Sequence, residues 1–398
     1  MGGGAAATAL GTDRVAGFGA GGAAGHFATP SALDDLAGRI VPRIELEIEA
    51  AVRREVDDPW MRGAIGYQLG WADASFAALA PEHRRATGKR LRPLLAVLSF
   101  LAAGAATHWD ATASADLDDV VTFAAAVELI HNFSLIHDDI EDRDRARRGR
   151  PTLWTLCGEA QAINVGDCVQ ALAYASLSRL QRRQEGDPSL VGRLVSALAS
   201  TTVALTIGQS RDMAYETSEA VDPAMYMAMI AGKTAALTSC ATHGGALLAV
   251  GSDGAPATRI AAGYAEFGRE LGLCYQVRDD ILGMWGCEAE TGKSSSGDIR
   301  RRKKSLPVVL AVSVATDRAR ERLLELYALP AELDDAQERE IRAILEGCGV
   351  EALCQREAEL HAERSLAALS EAQAGRAESN PFAATLGALA GSLTARSR

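Results

Sequence analysis

The chain has 398 residues, with 52 acidic and 41 basic side chains and a formal net charge of −11. At 48% hydrophobic and 23% charged it has ample apolar material for a buried core. This excludes a disordered chain, a collagen-like repeat and a disulfide scaffold, and the acidic balance speaks against general affinity for nucleic acid or anionic membranes.

Residues 1–30, opening MGGGAAATALGTDR, read as a flexible Gly/Ala tail. The stretch lacks the basic start and apolar run of a signal peptide, and Ala6 stands where a myristoylation pattern needs Ser or Thr. From there on the pattern is of helical period. Apolar stripes run through Ile40–Val56, Leu94–Ala103, Val120–His137, Ala160–Leu180, Leu190–Ile207, Tyr226–Val250 and Ala261–Trp285, and two more helices are predicted at Ala319–Leu326 and Asp335–Ala374. Leu306–Val314 is β-branched but has no hairpin partner. Turn residues at 185–188 and 251–254 separate helices, and Gly286–Lys304 reads as a longer loop. No uninterrupted apolar run reaches the roughly 20 residues of a membrane span, Leu94–Ala106 being about 13. The seven cysteines are scattered without a C-x-x-C pair, so a reducing cytoplasm is the expected setting. The pattern predicts an all-α fold, a single large helical bundle over residues 31–398.

Chemistry concentrates in two acidic clusters. Asp138, Asp139 and Asp142 end the helix through Val120, and helical spacing stacks Asp138 one turn from Asp142. Crowded carboxylates repel, and a hard divalent cation between them relieves the repulsion; the alternative is a solvated acidic helix end. Asp279 and Asp280 form the second pair, near the end of the helix from Ala261. Basic runs flank both: Gly88–Arg92, then Arg143 to Arg150, then Arg300–Lys304. Acids interleaved with bases on helix ends suit a diphosphate, with Mg²⁺ bridging carboxylate and phosphate oxygens while Arg and Lys neutralise the remainder.

In order, GKRLRP, LIHDDIED, RRGRPTLW, the Gly208-Gln209 pair, Gly232-Lys233-Thr234, and CYQVRDDILG with GKSSSGDIRRRKKSLP resemble the motif series of trans-isoprenyl diphosphate synthases, from about Gly88 to Leu310. The resemblance implies a helical bundle around a central cavity, with two aspartate-rich helices on its rim. It implies Asp138, Asp139, Asp142, Asp279 and Asp280 as ligands of three Mg²⁺ ions that clamp an allylic diphosphate. Arg147, Lys233, Lys293 and Lys303, with Thr234 and Gln276 beside them, would complete that clamp. Lys89, Arg92, His131 and Arg148, with the backbone of Gly88, would hold isopentenyl diphosphate. The implied reaction is ionisation of the allylic diphosphate, condensation and proton loss, in a homodimer. His137 is then a helix-end group rather than a general base.

The family's second motif commonly ends in a further aspartate, where this chain has Gly283. That keeps a non-catalytic partner subunit as an alternative. A class I terpene cyclase is a second alternative, although Ile281–Met284 lacks the Ser or Thr and the Glu of its usual second motif. A single aromatic, Phe133, five residues before Asp138, and the small Ser134 at the fourth position resemble geranylgeranyl diphosphate synthases. Helical geometry by itself places Ser134, not Phe133, below Asp138, and Phe133 as ordinary core packing stays open.

Overall fold

The computed structural model describes residues 30–85, 88–104, 117–180, 188–218, 220–252, 254–286, 297–300, 302–329, 333–374 and 380–393. In chain order the helices are α1 (Pro30–Glu55), α2 (Pro59–Gln68), α3 (Leu91–Ala103), α4 (Asp118–Glu141), α5 (Leu153–Cys157), α6 (Glu159–Ser178), α7 (Pro188–Thr217), α8 (Pro223–Ile230), α9 (Ala236–Val250) and α10 (Ala255–Trp285). They continue as α11 (Gly297–Arg300), α12 (Leu306–Val314), α13 (Asp317–Tyr327), α14 (Asp335–Gly347), α15 (Val350–Gln373) and α16 (Pro381–Ser392). The fold is all-α as expected, and residues 1–29 of the tail lie outside the described residues.

Helix α4 is the spine, because Val120, Phe123, Ala124, Val127 and Ile130 on its buried face are all fully enclosed. It packs on α3, α6 and α9, and α10 packs along α9 and α15. Glycines set the closest crossings. A Cβ on Gly245 would lie 2.0 Å from the Ala96 carbonyl, so α9 and α3 meet backbone to backbone there. His361 Nδ1 lies 2.5 Å from the buried carboxylate of Glu270, tying α15 to α10.

Four elements depart from the sequence reading. The segment Asp335–Ala374 is two helices, broken where Gly349 adopts φ +64°, a conformation that glycine enters without strain. Leu306–Val314 is helical: Pro307 stands in its first turn, and its burial against α10 and α15 overrides β-propensity. A two-residue hairpin, β1 (Ala146–Arg147) with β2 (Arg150–Pro151), turns through Gly149 at φ +71°. Among the described residues two helices, Asp118–Glu141 and Ser189–Thr217, are long and apolar enough by composition to cross a membrane, although each is interrupted by polar residues. The first is a core helix, 78% buried over its apolar window; the second is 39% buried.

Candidate active site

Helix α4 ends in the first acidic cluster. Asp139 is buried, and Arg147 on the hairpin reaches back to donate to it and to Asp138, at 2.6 Å and 3.1 Å. Lys233 Nζ lies 3.4 Å from Asp138 and 2.5 Å from Asp212. It sits in a π-helical turn, Ala231–Ala235, joining α8 to α9; such turns bulge a helix and redirect one side chain. Burial works against the Lys233 charge, but Asp138 and Asp212 outweigh it and its pKa is raised.

Burial pushes Asp139 up to about 6 despite Arg147. Asp142 is exposed by area yet crowded by the rim; that crowding, followed by the Asp138 charge, also pushes it up to about 6. Lys303 acts electrostatically on Asp142, Lys233 and Asp280, so the loop before α12 shares one field with both aspartate helices.

The second pair divides. Asp279 is exposed, whereas Asp280 is turned into the core. Tyr226 donates to Asp280, Gln276 Nε2 donates at 3.0 Å and the Leu306 N–H at 3.1 Å. Thr234 in turn donates to Gln276 Oε1 at 2.8 Å. Asp280, Gln276 and Thr234 therefore brace α10 against the π turn and α12. Lys293 lies outside the described residues.

The other basic group forms a second half-site. Arg92 Nη1 is 3.4 Å from His131 Nε2. Burial, followed by Arg92, Arg148, Arg90 and Arg147, holds His131 well below the usual imidazole range, so it is neutral and accepts from Arg92. Gly88 has no Cβ where Arg148 Nη1 would come within 2.9 Å of one. Lys89 is exposed beside them. Burial and repulsion from Arg147 and Arg90 lower the Arg148 pKa, the signature of cations gathered ahead of an anion. A solvent-open cavity of about 130 Å³ adjoins them, lined by Tyr67, Asn132, Asp139, Arg147, Arg148 and Arg150 among others.

Two residues at the site escaped the sequence reading. Asp212 lies one helical turn beyond the noted Gly208, and its partner Lys233 is what reveals it. Tyr275, 42% exposed and one turn before Asp279, interacts with Asp279, Arg92 and Arg148, linking the two halves. Phe133 is buried with its ring edge-on to His137 at 4.9 Å, and Ser134 donates to its own helix at the His131 carbonyl. Gly166 on α6 makes room for His137, so Phe133 sits on the α6 flank of α4.

Among the described residues no three His, Cys, Asp or Glu side chains converge into a preformed metal cage. The donor chemistry fits a hard divalent cation nonetheless: Asp138 and Asp142 offer only oxygen, and their mutual repulsion is the load such an ion removes.

A helical fold that collects aspartates, lysines and arginines from separate elements at one rim defines a diphosphate-processing enzyme. The comparisons agree. Residues 75–346 match the polyprenyl synthetase family model. A geranylgeranyl diphosphate synthase of Mycobacterium tuberculosis is 36% identical over 344 residues, covering 85% of this chain and 90% of that protein. A (2E,6E)-farnesyl diphosphate synthase of the same organism is 38% identical over 287 residues, covering 70% of this chain and 72% of that protein. The crystal structure of a polyprenyl synthetase from Streptomyces coelicolor A3(2) superposes with a TM-score of 0.76 at 32% identity, covering 91% of this chain and 99% of that one. The chain belongs to the polyprenyl synthetase family, and it is an isoprenyl diphosphate synthase, a transferase of prenyl groups.

Proposed function

We propose that the chain condenses isopentenyl diphosphate with dimethylallyl, geranyl or farnesyl diphosphate and releases geranylgeranyl diphosphate. The observation that carries this reading is the division of the rim into an acid-rich half at Asp138, Asp142, Lys233 and Lys303 and an acid-poor half at Lys89, Arg92, His131 and Arg148. The acid-rich half suits the allylic diphosphate that must ionise. Asp138, Asp142 and Asp279 would hold Mg²⁺, three ions by family resemblance, which when bound supply charge neutralisation to the departing diphosphate. Arg147 keeps Asp138 and Asp139 oriented, and Lys233 carries a retained positive charge to the same spot. The acid-poor half holds isopentenyl diphosphate through Lys89, Arg92 and Arg148, with neutral His131 orienting Arg92. Exclusion of water protects the allylic cation from capture as an alcohol.

Incubation with dimethylallyl diphosphate, labelled isopentenyl diphosphate and Mg²⁺, followed by sizing of the products, tests this reading. Twenty-carbon product supports it; fifteen-carbon product moves it to farnesyl synthesis, cyclised product to the cyclase alternative, and no product to a partner subunit. Phe133, the one aromatic at the fourth and fifth positions before Asp138, is buried, which supports the twenty-carbon assignment. Phe133→Ala is then expected to extend the product beyond twenty carbons and Ser134→Phe to shorten it. Unchanged products from both folded variants would place the chain-length stop elsewhere.

The carboxylates add a pH prediction. A carboxyl raised to about 6 favours the folded state below its unfolded value near 3.8, and that contribution is lost as pH rises through about 6. A cation beside Asp142 must displace its proton at the lower pH and relieve its repulsion with Asp138 at the higher one. Mg²⁺ should therefore raise the melting temperature more at pH 7.5 than at pH 5; equal shifts at both would contradict the assignment.

The exposed apolar side chains Val203 and Ile207 on α7 and Ile163 on α6 support a homodimer in which a second copy covers this face. Sedimentation of the wild type and of Val203→Glu would distinguish dimer from monomer. A cytoplasmic setting is part of the same proposal.

A further inference from the structure

Arg90 lies between Lys89 and Arg92 in the basic run, yet its side chain is only 5% exposed. Its Nε donates to Glu45 on α1 at 2.7 Å and its Nη1 to Glu128 on α4 at 2.5 Å. Glu128 is buried as well, and Asn132 one turn on donates to the same carboxylate oxygen at 2.9 Å. The Arg90 backbone is left-handed, at φ +48° and ψ +37°, a strained conformation for a residue with a Cβ, at the point where the chain enters α3. The guanidinium fork thus fastens the start of α3 to two other helices at the residue where the backbone turns.

Glu128 and His131 are three apart on α4 and share a face, and Arg90 and Arg92 engage them in that order. The register that puts Arg92 against His131 is therefore set one step earlier, at Arg90. We propose that Arg90 is a positioning residue for the isopentenyl diphosphate half-site: clamped by Glu45 and Glu128, it holds Gly88, Lys89 and Arg92 against His131 and Arg148 so that their cations converge on one diphosphate. The proposal rests on the assignment of that half-site made above. Arg90 itself touches no substrate. Its buried ion pairs fix where its neighbours stand, and a buried pair kept for specificity more than for stability is the physical precedent.

The test is Arg90→Lys, which retains the charge but not the planar fork that reaches two carboxylates at once. Initial rates with both substrates varied should show the KM for isopentenyl diphosphate raised about tenfold and that for the allylic diphosphate changed less than about twofold. Glu128→Gln, which keeps the shape and weakens the clamp, should move the same ratio in the same direction by less. It carries the test should Arg90→Lys fail to fold. A purely structural role would lower the active fraction, and with it kcat, while leaving both Michaelis constants in place; that result in the folded variants overturns the proposal. A wild type that turns over isopentenyl diphosphate alongside variants with unchanged KM ratios overturns the role of Arg90 alone. A wild type that does not consume isopentenyl diphosphate overturns the proposed function together with the role that rests on it.

Discussion

Asp138→Ala is expected to lower turnover by about three orders of magnitude while leaving the helical fold and melting temperature close to wild type. The two halves of that expectation have separate causes. Asp138 is the meeting point of Arg147, Lys233 and Asp142, so its removal takes away a central oxygen donor for a divalent ion and a shared partner of two cations. The fold is spared because no buried cation is stranded: Arg147 keeps Asp139 at 2.6 Å and Lys233 keeps Asp212 at 2.5 Å. Loss of repulsion on Asp142 partly offsets the lost ion pairs. Circular dichroism, a thermal melt and kcat on one preparation check the prediction. Activity within tenfold of wild type would remove Asp138 from the chemistry. In the same assay EDTA should abolish turnover, and Mg²⁺ should restore it better than Ca²⁺, which takes more ligands at longer distances.

What the sequence disclosed depends on whether a feature is periodic. The buried face of α4 and the stacking of Asp138 on Asp142 follow from helical spacing, so both are legible in the sequence. The break at Gly349 did leave a trace, because the buried positions Ile341 and Leu345 resume at Val350, Cys354 and Ala358, about half a turn out of step with one continuous helix. Asp212 was hidden because one aspartate beside Arg211 looks like an ordinary surface pair, and only the fold brings Lys233 to it. The division between Asp279 and Asp280 did leave a signal. Asp280 is three residues from Val277 and four from Met284, both fully buried, whereas Asp279 aligns with the exposed Tyr275. Reading the apolar face through the motif would have turned Asp280 inward. The Arg90 clamp was beyond reach, since its partners lie 45 and 38 residues away on other helices.

The same rim depends on a contact between two backbones. A Cβ on Gly208 would lie 2.2 Å from the Lys233 nitrogen and 2.8 Å from the Gly232 carbonyl carbon, and a Cβ on Gly232 would lie 2.7 Å from the Ala204 carbonyl oxygen. Neither neighbour is a flexible side chain, so α7 and the π turn can accept a larger residue only by moving apart, by about 1 Å or more. Lys233 rides on that turn, and its contacts with Asp212 on α7 and Asp138 on α4 would both open. A displacement of that size at a charged site costs about a hundredfold in rate. Overpacking adds a stability cost of about 1–3 kcal/mol or more. Gly208→Ala is thus expected to reduce turnover by about two orders of magnitude and to lower the melting temperature by several degrees, with Gly208→Val worse on both counts. Gly192→Ala on the same helix is the control, because a Cβ there meets nothing within 4 Å and helix propensity alone favours it by roughly 0.5–1 kcal/mol. If Gly208→Ala matched Gly192→Ala in rate and melting temperature, the close crossing of α7 with the Lys233 turn would not be what holds the site together.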